Sequence, residues 1–199
     1  MTQPSAAPRP GRPSSGARER ILEAGFEVLK AEGYAGASIA KVAARAGENK
    51  ALVSYYFGSK QGLVAAVARQ LGDMITDEVV EGIGAARTPE GVVRGVVDST
   101  WRILDRDERV ARLYFDLSAV SVVEDDVRAV LREVKELWRR TLSDLLRRAG
   151  VPARSIKPTV LLVIAGNEGL ALERIERGET PELARARSMF VRSVLGVIE

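Results

Sequence analysis

Neither cysteine nor histidine occurs anywhere in the 199 residues. The first absence removes disulfides, thiolate metal ligands and cysteine nucleophiles, and it fits a reducing compartment. The second weighs more, because histidine is the commonest general base and the commonest metal ligand. A hydrolase or metalloenzyme would need an unusual arrangement here. Also missing is any run approaching the roughly 18–20 apolar residues of a membrane-spanning helix. The first sixteen residues hold Pro4, Pro8, Pro10 and Pro13 among Ser, Ala and Gly, with no apolar h-region of a secretory signal. The expectations are therefore a cytoplasmic protein with no membrane contact, no metal and no cofactor, and a disordered arm over residues 1–16.

What is present can fold. At 46% hydrophobic and 29% charged, the chain can bury a core and keep a solvated surface. The net charge of +3 is unevenly placed. Residues 1–62 carry nine Lys and Arg against five Glu, whereas the remainder carries 21 basic against 22 acidic groups. The positive excess sits wholly in the N-terminal third, which suits contact with a polyanion. Chance asymmetry in a mildly basic protein explains the charge equally well.

Helical periodicity begins at Ala17, with Ile21, Leu22, Gly25, Phe26 and Leu29 forming one apolar stripe. Gly33 should stop that helix, since glycine takes the left-handed conformation at little cost. Ser38 is a natural N-cap for a short second helix with Ile39, Val42, Ala43 and Ala46 on its inner face. Gly47 ends it, and a third helix starts near Lys50 with Val53, Tyr56 and Phe57 on one side. Gly58 closes the third, and Ser59 can cap a fourth carrying Leu63, Val64, Val67, Leu71 and Ile75. Five further helices are expected over 89–105, 107–123, 126–149, 158–177 and 181–198, two of them opened by a Thr-Pro pair. The β-branched stretches 120–123 and 160–164 lack hairpin chemistry and continue helical patterns. The fold class expected is all-α: a three-helix helix-turn-helix domain over 17–62, then a bundle of about six helices over 63–199.

The informative stretch runs from Ser38 to Lys60. Two short helices joined by a tight glycine-containing turn hold the second across the first, so that its N-terminal residues project outward. Such a helix fits the major groove of B-DNA. In this stretch the sequence resembles the TetR family, with Ser38, Ala46-Gly47, Tyr55-Tyr56-Phe57, Ser59-Lys60 and Leu63 at the family's spacings. One departure is Glu48, where the family commonly has an apolar residue such as Val. A carboxylate there should either face solvent or approach Arg45 or Lys50.

The resemblance, joined to side-chain chemistry, implies roles. Lys50, Ala51 and Leu52 are candidates for base-edge contacts, the lysine toward guanine and the other two toward thymine methyls. Ser38, Asn49, Ser54, Tyr55, Tyr56 and Lys60 are candidates for phosphate contacts. Asn49 can instead spend its side chain as an N-cap, and Tyr56 can equally serve the core with Val53 and Phe57. Arg9 and Arg12 either enter an adjacent minor groove or remain in a solvated tail.

The resemblance also implies a two-fold dimer on a palindromic operator of double-stranded DNA, joined through 158–177 and 181–198. Val160, Leu161, Val163, Ile164, Leu170 and Leu172 exceed what one core face needs, although both helices could be central to a single monomer. A small, partly apolar effector would release the repressor. Trp101, Tyr114, Phe115, Asp116, Trp138, Asn167 and Glu168 are the pocket candidates, or else plain core. The tract Tyr114-Phe115-Asp116-Leu117-Ser118 is similar to regulators of the choline-repressor type, without carrying over a ligand. An alternative keeps the helix-turn-helix but gives the C-terminal part a protein partner.

Two motifs suggest enzymes and are set aside. Ser38-Ile39-Ala40-Lys41 has the spacing of a serine acyl-transferase motif, but its companion elements are missing. Gly82-Ile83-Gly84 starts like a dinucleotide loop but lacks the third glycine and the preceding strand.

Overall fold

The computed structural model describes residues 16–198, so Arg9 and Arg12 lie outside it. Eight α-helices make up the described chain: α1 (Ala17–Gly36), α2 (Ile39–Ala46), α3 (Lys50–Phe57), α4 (Lys60–Ile83), α5 (Pro89–Val120), α6 (Asp125–Arg148), α7 (Ala153–Arg177) and α8 (Pro181–Gly196). There is no strand among these residues, and the all-α expectation holds. No described helix is long and apolar enough to cross a membrane.

The caps explain most boundaries. Ser38, Asn49, Ser59, Thr88 and Thr180 each accept a backbone N–H three residues on, satisfying a donor that the first helical turn leaves free. Pro89 and Pro181 follow two of these caps, where a missing N–H costs nothing. Gly47 turns the chain between α2 and α3 at φ 68° and ψ 28°. Its N–H returns to the carbonyls of Ala43 and Ala44, and that of Glu48 reaches Ala43 at 2.9 Å. A Cβ would strain this left-handed geometry.

Three expectations need correction. The ninth helix does not exist separately, because 89–105 and 107–123 form one element broken at Asp107, which is extended at φ −158° and ψ 95°. Asp107 caps its own bend by accepting the Arg109 N–H at 3.2 Å and the Arg109 guanidinium at 2.8 and 3.0 Å. The helix expected from 158 begins at Ala153 and carries Pro158 inside it. Here packing overrides the local break: Ile156 is buried one turn before Val160 and extends the same face. Finally, the first helix is interrupted at Gly33, as expected, yet helical structure resumes as far as Gly36.

Buried apolar side chains form two clusters. The first joins Ile21, Val42 and Val53 of the N-terminal helices to Leu71 of α4, Leu113 and Leu117 of α5, and Val134 of α6. The second joins Val93, Val97 and Leu104 to Leu142 and Leu146 of α6, and to α7 and α8 through Val163, Val191 and Val194. Packing is thus continuous across residue 62, and α4, α5 and α6 span both clusters.

Candidate nucleic-acid interface and effector cavity

α3 is two turns long, and one fully buried side chain, Val53, pins it to the core. Leu52, Tyr56 and Phe57 are half-buried and pack against the same cluster. What remains outside is a single face made of Lys50, Ala51, Ser54 and Tyr55, the last 73% exposed. The structure therefore brings four of the nine candidate contacts together on one helix surface. Leu52 and Tyr56 are turned partly inward, toward the core role already open to Tyr56.

The other candidates have structural partners. Asn49 caps α3, its Oδ1 accepting the Leu52 N–H at 2.8 Å. Ser38 caps α2 by accepting from the Lys41 N–H at 3.3 Å. Lys60 lies against α1, its ammonium donating to the Tyr34 carbonyl at 2.7 Å and standing 4.2 Å from the centroid of the Tyr34 ring. Glu48 finds neither Arg45 nor Lys50. It pairs with Arg20 of α1 at 2.5 Å, 28 residues away, so the departure from the family pattern ties the turn to the first helix.

Tyr34 escaped the reading of the sequence. Its N–H donates to Asp116 Oδ2 at 2.6 Å and its hydroxyl to Glu124 Oε1 at 2.8 Å. Burial, reinforced by the Glu124 carboxylate, raises the pKa of the phenol above its ordinary value. The end of α1 is thereby fastened to α5 and to the start of α6. Only an unusual aromatic beside Gly33 could have signalled this, and its partners lie 82 and 90 residues on.

Between α4, α5, α6 and α7 lies a cavity of about 120 Å³. Five of the seven pocket candidates line it: Tyr114, Phe115, Trp138, Asn167 and Glu168. The other two lie elsewhere. Asp116 is not on the cavity wall and accepts the Tyr34 N–H instead. Trp101 donates its Nε1–H to Glu179 at 2.8 Å and stacks under the Arg187 guanidinium, 4.6 Å from the ring centroid. Consecutive helical residues cannot all share one face, which is why 114–116 divide.

Most of the cavity wall is apolar, with Ile75, Val79 and Ile83 from α4 facing Ile103 and Ala111 from α5. Polar groups sit among them. The Tyr114 hydroxyl donates to Glu168 Oε1 at 2.5 Å, and Trp138 Nε1–H donates to Thr76 Oγ1 at 2.8 Å. Burial together with the Glu168 carboxylate pushes the Tyr114 phenol well above its ordinary pKa. It stays protonated at any physiological pH.

Residues 21–67 match the family model described as bacterial regulatory proteins, tetR family. Over that stretch, about the first third of the chain, the sequence is similar to the DNA-binding part of that family. Its sequence is 28% identical over 125 residues to the HTH-type transcriptional regulator BetI 1 of Chromohalobacter salexigens. That alignment covers 61% of this chain and 60% of the relative, so the shared stretch spans about three-fifths of the curated relative. The fold is also that of solved regulatory proteins. A transcriptional regulator from Rhodococcus sp. Rha1 superposes with a TM-score of 0.78 at 24% identity, over 90% of this chain and 96% of that one. The multidrug binding protein EbrR, complexed with imidazole, superposes at 0.71 and 21% identity, over 90% and 95%.

Proposed function

We propose that this protein is a sequence-specific transcriptional regulator of the cytoplasm that binds a palindromic operator as a homodimer and is released by a small effector. The observation that carries the reading is the outward face of α3. Lys50, Ala51, Ser54 and Tyr55 offer an ammonium, a methyl and two hydroxyls on one side of a helix whose other side is anchored by Val53. That is a set able to reach base edges and flanking phosphates together. In this reading residues 17–62 form the DNA-binding unit and 63–199 the sensing and dimerising unit. Lys50 and Ala51 read bases, with Leu52 in a lesser role. Ser54 and Tyr55 hold phosphates, while Ser38, Asn49, Tyr56 and Lys60 set the position of the helices that do so.

The dimer is supported by uncovered apolar side chains on the last two helices. Leu161, Leu162 and Leu172 of α7 and Met189 of α8 are exposed, as is Val197 just beyond. Small residues accompany them: Ala165 is exposed, and a Cβ at Gly169 would meet nothing within 4 Å. Apolar surface of that kind on a soluble protein usually finds a partner. The effector reading is supported by the partly open, mostly apolar cavity and its few polar groups.

The test is selection of bound fragments from a fragmented genome, followed by titration of the best fragment with wild type and Lys50→Ala. A two-fold symmetric site is expected, with discrimination against single-base changes weakened by about 1–3 kcal/mol at the position Lys50 reads. Weak, sequence-indifferent and steeply salt-dependent binding would overturn the reading, leaving generic phosphate attraction by an interaction protein.

A further inference from the structure

Most polar groups on the cavity wall have partners within the protein, and one buried acceptor does not. Trp138 Nε1–H donates to Thr76, whose own hydroxyl donates to the Gly72 carbonyl at 2.7 Å. Thr100 donates to the Val96 carbonyl at 3.2 Å, so its oxygen must accept from the Asn167 side-chain nitrogen at 2.7 Å. In this orientation the Asn167 amide leaves its Oδ1 buried with no partner. Tyr114 gives its proton to Glu168. The donors of Tyr114, Trp138, Thr76 and Thr100 are thus committed to protein acceptors. A buried acceptor and a carboxylate remain, side by side at positions 167 and 168.

Charge points the same way. Glu168 lines the cavity, whereas its counter-ion Lys135 does not; Lys135 Nζ lies 3.3 Å from Glu168 Oε1 and 5.6 Å from the centroid of the Tyr114 ring. A cation inside the cavity would meet the carboxylate first; an anion would meet it too, and be repelled. The rings of Tyr114, Phe115 and Trp138 line the same cavity, and an aromatic ring attracts a cation placed over its face. The enclosed space is small, about 120 Å³ against the roughly 150 Å³ that takes up benzene, but the cavity is partly open on one side, so a probe longer than a ring can extend outward.

We infer that the cavity binds a small amphipathic cation, a ring-sized apolar body bearing a protonated amine whose N–H groups donate to Asn167 Oδ1 and to Glu168. This rests on the effector reading above and specifies its chemistry. The buried acceptor needs a donor, which an alcohol also supplies but without the charge that the Glu168 carboxylate favours, so a neutral alcohol of the same shape binds less well; a carboxylate, with no donor and a repelled charge, does not bind.

The experiment titrates full-length protein with three near-isosteric probes: phenethylammonium, 2-phenylethanol and phenylacetate. Binding is followed by calorimetry at neutral pH. The ammonium is expected to bind about tenfold more tightly than the alcohol, the difference one charge-assisted hydrogen bond makes. No binding of phenylacetate is expected. Glu168→Gln should bring the ammonium-to-alcohol ratio close to one. Lys135→Gln, which unmasks the carboxylate, should raise it, and this second variant keeps the inference falsifiable if the first folds poorly. Equal or tighter binding of phenylacetate, an unchanged ratio in Glu168→Gln, or no binding of the ammonium at millimolar concentration would each overturn it. DNA binding measured on the same samples separates the two readings. Intact operator binding with no ammonium selectivity sinks only the ligand class. Ammonium selectivity without operator binding sinks only the regulator.

Discussion

The outward face of α3 and the cavity are built by opposite means. The face comes from eight consecutive residues, with a cap before them, a glycine turn on either side and one buried valine beneath. The cavity is assembled from four helices, and residues on its wall lie almost a hundred positions apart, from Ile75 to Ala171. The first depends on local backbone chemistry that tolerates little variation. The second depends on how long helices happen to cross, and almost any apolar sequence with the right volume can make such a wall. A recognition surface built locally can keep its geometry while a distant cavity is altered, provided that the packing between them transmits the change selectively.

The largest effect tests whether packing divides as that comparison implies. Leu117 and Leu146 are both fully buried, the first in the cluster shared with Ile21 and Val53, the second in the cluster of α6, α7 and α8. Each Leu→Ala change is expected to cost about 2–5 kcal/mol, since it removes a core side chain and leaves a void. The two should differ in where the loss is felt. Leu117→Ala should accelerate amide exchange in α1–α3, and Leu146→Ala should leave those amides protected. Equal acceleration by both would mean one cooperative core, and the contrast between the two regions would lose its physical basis.

A smaller effect sharpens the contrast at the level of caps. Asn49 and Thr180 perform the same task, accepting the N–H of Leu52 and of Leu183 at 2.8 and 3.1 Å. Replacing either by Ala should lower stability by about 1 kcal/mol, and by Gly only a few tenths. At Asn49 the loss falls on a helix of eight residues, so Asn49→Ala should also weaken binding to the selected operator fragment. Thr180→Ala should leave that affinity alone. Thermal unfolding with fluorescence anisotropy on the same variants distinguishes the two, and equal affinity losses would argue against α3 as the reading element.

The same contrast governs what could be read from residues alone. Ser38, Gly47, Asn49, Gly58 and Ser59 each act within three or four positions of themselves, and α2 and α3 lie where those residues require. Glu48 was conspicuous for the same reason, but its partner Arg20 belongs to another helix and no spacing rule reaches it. In the C-terminal part the candidates were recognisable as residue types, yet Tyr114, Phe115 and Asp116 could be assigned to faces only once the roll of α5 about its axis was known. Trp101 shows the same limit: an aromatic on an apolar stripe carries no sign of whether it borders the apolar cavity or, as here, lies between the Arg187 guanidinium and Glu179, which pairs with Arg174. The break in α5 was anticipated between 105 and 107, although not that one continuous element would bend there. Ala153 as the start of α7 was hidden because Pro158 suggests a boundary that the burial of Ile156 overrides.

The smallest effect concerns that bend, which lies where α5 passes from one cluster to the other. The Arg109 guanidinium, helped by the Arg109 N–H and by Lys30 of α1, holds the Asp107 carboxyl at about 2, below the ordinary aspartate value of 3.8. Its salt bridge to Lys30 spans 3.4 Å and ties the bend to the N-terminal helices. A depressed carboxylate pKa stabilises the fold when the group is ionised. The contribution is therefore complete above about pH 4 and disappears as pH falls through about 2. Because the pair is partly open to solvent, its worth should stay under about 1 kcal/mol. Asp107→Asn should accordingly lower the urea midpoint slightly at pH 7, and the difference from wild type should shrink toward zero at about pH 2. A difference that persists undiminished in acid would show that the bend depends on the shape of the side chain and its backbone hydrogen bond. The charged link between α5 and α1 would then contribute nothing to the joint between the two clusters.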